Sequence, residues 1–128
     1  MVEATLVKDW IEAGRIFTES LDAAGFRAVA SFWLLDEETG EWRLIIATPM
    51  VDAEGPKSAY RRVQDILREH SELSQLKLSD ISVVSPNYEL VKLLRLALRT
   101  GKGITGIRFS KNRINDRFIE DAYIYRLM

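Results

Sequence analysis

The chain has 128 residues, 47% of them hydrophobic and 29% charged, with a formal net charge of −1. That length and balance fit one globular domain, residues 1–128, large enough to bury a core, and argue against disorder. Cysteine is absent and His70 is the single histidine, which removes disulfides, thiolate nucleophiles, zinc–cysteine sites and multi-histidine metal sites.

No apolar run approaches the roughly 20 residues of a membrane span. The start, Met1-Val2-Glu3-Ala4, lacks the basic region of a secretory signal. A cytoplasmic protein with no membrane partner is the expectation.

Leu6, Trp10, Phe17 and Leu21 recur at helical spacing, which predicts a first helix over about Thr5 to Ala24, ended by Gly25. Ala28 to Leu35 and Trp42 to Ala47 are apolar on both faces, as in central strands covered on both sides. The acidic turn Asp36-Glu37-Glu38-Thr39-Gly40-Glu41 joins them into a hairpin, and its charges keep the tip in water. Thr48-Pro49 ends the second strand.

Gly55-Pro56 opens a second helix, with Tyr60, Val63, Leu67 and His70 as its apolar stripe and Ala59 and Ile66 flanking. His70 is expected to cap or pack near the helix end rather than to catalyse. Residues 71–79 carry no clear period, and Asp80 to Val84 reads as a short buried strand. Ser85 and Pro86 read as the N-cap and first turn of a third helix, with Leu90, Val91, Leu93, Leu94, Ala97 and Leu98 inward and Thr100-Gly101 at its end. Ile104 to Ser110 is the next strand, Lys111 to Asp116 a loop, and Phe118 to Leu127 the last strand. The order α-β-β-α-β-α-β-β predicts an α/β fold, with α+β as the alternative: one mixed five-stranded sheet and three helices. Two strand–helix–strand units are expected to join the second, third and fourth strands as parallel crossovers.

Chemistry-bearing motifs are weak. Gly101-Lys102-Gly103-Ile104-Thr105-Gly106 resembles a phosphate loop but follows a helix and opens a strand, the reverse of the required context. Asp36, Glu41 and Arg43 are only a loose version of a nuclease-like metal pair. Trp33 and Trp42 read as core, while Tyr123 and Tyr125 share one face of the last strand. No catalytic residue, metal ligand or cofactor is assigned, and the reading leans away from an enzyme.

Charge is the outward-pointing feature. Residues 1–54 hold 11 acids and 4 bases, whereas residues 55–128 hold 8 acids and 14 bases. An acidic and a basic half suggest self-complementarity or a basic face for an anionic partner. Lys92, Arg95, Arg99 and Lys102 are expected as a basic band on the solvent side of the third helix. If the crossovers are parallel, the carboxyl ends of three strands share one edge, and ligands favour such ends. Lys57, Ser85, Asn87, Lys111 and Arg113 are then the candidate anion-binding residues there. The leading expectation is a non-enzymatic interaction module, with a protein partner or a homo-oligomer. The alternatives are nucleic-acid binding through Lys92 to Arg117, and a small-anion or nucleotide-binding protein or enzyme at the strand carboxyl edge.

Overall fold

In the computed structural model, which describes residues 6–128, five strands form one sheet in the order β3-β2-β1-β5-β4. The strands are β1 (Ala30–Leu35), β2 (Trp42–Ala47), β3 (Ile81–Val84), β4 (Ile107–Ile114) and β5 (Arg117–Leu127). Only β2 and β3 pair in parallel; the other neighbours are antiparallel. The helices are α1 (Lys8–Ala23), α2 (Met50–Glu54), α3 (Pro56–Arg68) and α4 (Glu89–Ala97). The chain is therefore a mixed α+β domain, and among the described residues no helix is long and apolar enough to cross a membrane.

Alternation along the strands divides the core. Trp33, Leu44, Ile46, Ile81, Val83 and Tyr125 meet Phe17 and Leu21 of α1 and Val63 and Ile66 of α3 on one face. Phe32, Ile45, Ala122 and Ile124 meet Leu90, Val91 and Leu94 of α4 on the other. Burying each of these large side chains stabilises by roughly 1.5–3 kcal/mol. The buried stripe of α3 is Ala59–Val63–Ile66, with Tyr60, Leu67 and His70 only half-buried. His70 Nδ1 lies 2.8 Å from the Ile66 carbonyl, a packing and capping contact of the expected kind.

Helix α1 begins at Lys8, and the expected start at Thr5 lies outside the described residues. Gly25 terminates it in the left-handed region, φ 74°. Gly14 on α1 is there for close approach: a Cβ would stand 2.3 Å from Tyr125 Oη and 2.6 Å from Trp33 Nε1. The Tyr125 hydroxyl donates to the Ile11 carbonyl and accepts from Trp33 Nε1 at 3.1 Å, so three elements lock around this glycine.

Several boundaries differ from expectation. Ser85 to Tyr88 forms a turn, closed by Tyr88 N–H to Ser85 O at 3.0 Å, so α4 starts at Glu89. It stops at Ala97, because Leu98 is extended (φ −159°) and Thr100 N–H turns to the Leu127 carbonyl. Residues 111–114 belong to β4 rather than to a loop: Asn115, at φ 55°, makes a two-residue turn with Asp116, and Ile114 pairs with Arg117. Residues 71–80 form two single 3-10 turns, Ser71–Leu73 and Leu78–Asp80, that bury Leu73 between them and the core.

The topology needs one larger correction. The first strand–helix–strand unit is parallel, as expected, but the second is not. Strand β4 lies at the opposite edge of the sheet from β3 and runs against it, because β4 is antiparallel to β5, which runs with β2. The connection leaves β3 and enters β4 at the same end of the sheet, where Thr100 N–H and Thr105 N–H bond the Leu127 and Tyr125 carbonyls, so the chain crosses the sheet rather than running back along its strands.

Candidate functional site

This topology disperses the anticipated anion edge. Lys57, Ser85 and Asn87 sit at the carboxyl end of β2 and β3, whereas Lys111 and Arg113, near the carboxyl end of β4, lie at the opposite end of the sheet. At the first end, the Ser85 hydroxyl donates to Asp52 at 2.9 Å and accepts from Asn87 N–H at 3.0 Å. A carboxylate thus already occupies the position an anion would need. The five candidates do not form one site.

The basic band is also divided. Lys92, Arg99 and Lys102 are exposed. Arg95 is not: it donates from Nε to the Met128 carbonyl at 2.6 Å and from Nη1 to the Pro86 carbonyl at 3.2 Å, tying the end of β5 to the turn before α4. Desolvation there, with Arg99 nearby, pulls its guanidinium below the ordinary arginine value. Arg108 makes a two-pronged ion pair with Asp121, both contacts 2.6 Å, which holds its pKa above the ordinary value, and it stands 5.9 Å over the Trp42 ring. Arg113 lies 5.9 Å over the Phe118 ring. Much of the stretch from Lys92 to Arg117 is thus engaged within the chain.

The acidic hairpin and the β4–β5 hairpin meet at one end of the sheet, since β5 starts at the end where β1 finishes. On the α4 side they flank a groove of about 600 Å3. Its floor is half-buried Leu34 over buried Ile45, Leu90 and Ile119. The groove exists because α4, nine residues long, packs on only part of a five-stranded face. Around it stand Asp36, Glu37, Glu38 and Glu120, four carboxylates against the guanidiniums of Arg43 and Arg117. Arg43 is committed to the chain: it donates to Ser82 Oγ at 2.9 Å and to the Ser79 and Ile81 carbonyls at 3.0 and 3.2 Å. That commitment also separates it from the loose metal pair with Asp36 and Glu41, and among the described residues no group of three His, Asp or Glu side chains could hold a metal ion.

Two aromatic side chains line the same groove, Tyr88 from the turn before α4 and Phe118 from the start of β5. They are 45% and 36% exposed, among the few large hydrophobic side chains left open to solvent. Nothing in the sequence marks Tyr88 and Phe118 as a pair. Their pairing across an acidic groove depends on which hairpins meet, and that is set by strand order. Trp33, by contrast, is buried as expected, and Trp42 is half-buried. Tyr125 is buried, with its ring edge-on to half-buried Tyr123 at 5.5 Å.

A second depression, of about 470 Å3, lies between the end of α1 and the start of β1, lined by Asp22, Arg27, Lys102 and Arg126 among others. Arg126 is only 5% exposed, but Asp22 already accepts from both its terminal nitrogens at 2.9 and 2.7 Å, and the Ala28 carbonyl accepts a third bond. This pair closes the fold rather than opening a site. Comparison with known protein families, characterised proteins and solved structures finds no match, so the chain's own geometry carries the functional reading.

Proposed function

We propose that this domain is a non-enzymatic protein-interaction module whose binding surface is the groove beside α4. The single observation that carries this reading is the composition of that groove: two exposed aromatic rings beside half-buried Leu34, with four carboxylates against two arginines. Such a surface suits a partner segment with an apolar anchor flanked by basic side chains. The anchor displaces water from the exposed rings of Tyr88 and Phe118 and from half-buried Leu34, while the carboxylates receive the cations. Its volume lies within the range of roughly 300–1,000 Å3 usual for ligand sites.

Nucleic-acid binding draws less support, because Arg95, Arg108 and Arg113 are engaged within the chain and the groove is rimmed by acids. Calorimetric titration of the dilute domain with a short Leu/Lys peptide and a Leu/Glu counterpart tests the proposal. The basic peptide is expected to bind, more weakly as salt rises, and the acidic one not to. Tyr88→Ala and Phe118→Ala are expected to weaken binding while leaving the melting temperature near wild type. Equal binding of both peptides, or of neither, would contradict it.

A further inference from the structure

The groove has a neighbour on the same face of the sheet whose chemistry is its complement. Leu96 of α4 is 68% exposed, the most exposed of the large hydrophobic side chains left open to solvent. Lys92 stands one turn before it on the same ridge, four residues away, and Arg99 and Lys102 follow just beyond the helix end; all three are exposed, and none makes an ion pair among the described residues. Their partner in sign is the groove, where Glu37, Glu38 and Glu120 likewise make no ion pair among the described residues. An apolar anchor between cations, and a groove that sets two exposed aromatic rings among carboxylates, are thus both present on the α4 side of one chain.

We infer that the occupant of the groove is the Leu96 ridge of a second copy of this chain. This inference rests on the reading of the groove as a docking surface and names its partner. Because ridge and groove share one face, two copies related by a two-fold axis can each insert Leu96 into the other's groove, so the association closes at a dimer. Lys92 and Arg99 of each copy then approach Glu37, Glu38 and Glu120 of the other. The exposed charges keep the association salt-sensitive. Neither sheet edge offers a rival route. Strand β3 has four residues, and its Val83 N–H is taken by the Tyr60 hydroxyl at 3.0 Å, while β4 carries Arg108, Lys111 and Arg113.

Sedimentation of the full chain from micromolar to near-millimolar concentration, at low and high salt, tests this. The wild type is expected to pass from monomer to dimer, at higher concentration when salt is raised. Leu96→Asp and Glu38→Lys, both at exposed positions, are each expected to weaken dimerisation by about tenfold or more. The double variant Lys92→Glu with Glu38→Lys is expected to recover it. Leu96→Asp leaves the groove open and is expected to bind the Leu/Lys peptide. A wild type that stays monomeric throughout, a dimer indifferent to Leu96→Asp, or an open-ended polymer would each overturn the two-fold pairing. If Leu96→Asp still binds the peptide in those cases, the groove stands and only its occupant is wrong; if it does not, both fail together.

Discussion

The two faces of the sheet are built differently. One carries a 16-residue and a 13-residue helix, and its interior is closed by directional contacts: Tyr125 between Trp33 and Ile11, Thr18 to Ser31 at 2.8 Å, and Arg126 to Asp22. The other carries a single nine-residue helix, and beyond it lies the groove flanked by Tyr88, Phe118 and four carboxylates. The comparison teaches a division of labour. Both faces bury a core, but the α1–α3 face is closed by directional contacts, whereas the α4 face leaves Tyr88 and Phe118 open to solvent beside the acidic groove. Substitutions on the first face should cost stability; substitutions around the groove should cost binding alone.

The largest expected effect breaks the closed face at its ion pair. Asp22→Ala leaves the guanidinium of Arg126 buried without its carboxylate. Because Asp22 is itself 41% exposed at its side chain, the loss falls at the lower end of the buried-pair range, about 3 kcal/mol. Urea unfolding measures it, and a loss below about 1 kcal/mol would show that Arg126 finds another partner. Next is Gly14→Ala, which drives a methyl into Tyr125 and Trp33 and is expected to cost about 1–3 kcal/mol net of helix propensity. Replacement at Gly25, with open space around it, tests only its positive φ and serves as the control.

On the open face, Phe118→Ala and Leu96→Asp are expected to change stability by no more than about 0.5 kcal/mol. A large destabilisation from either would erase the contrast between the faces. The smallest effect concerns pH. Burial raises the phenol of Tyr125 well above its ordinary value of 10.0, with the Trp33 hydrogen bond acting in the opposite direction. The unfolded chain therefore ionises first, so stability is intact below pH 10 and falls as pH rises above it. Tyr125→Phe is less stable at neutral pH, and its stability is expected to decline less between pH 9 and about pH 11 than that of wild type. Parallel curves would mean that Tyr125 contributes nothing to the alkaline loss.

Much of the fold was legible in the residues. Two-sided apolar strands, Pro56 after Gly55, and Gly25 past the first helix each act through local rules, and each element formed near its expected place. Several features were not legible. Helix α2 is too short to show a period. The start of α4 moved because Ser85 and Pro86 satisfy a turn as readily as a helix cap. The register irregularity between Ser31 and Phe32 inserts one extra residue into β5, so that consecutive Tyr125 and Arg126 both reach α1; simple alternation would have sent Arg126 to the other face.

The site was hidden for a related reason. Its residues come from two hairpin tips, a loop and a helix, and only strand order brings them together. The anion edge failed on the same point, since it assumed that β4 ran with β2 and β3.

Amide chemical-shift mapping of the Leu96→Asp variant during titration with the Leu/Lys peptide tests the division between the faces most directly. Shifts concentrated at Glu37, Glu38, Tyr88, Phe118 and Glu120, with the α1 and α3 amides unmoved, are the predicted result. Shifts centred on α1 or α3, or none at saturating peptide, would contradict it.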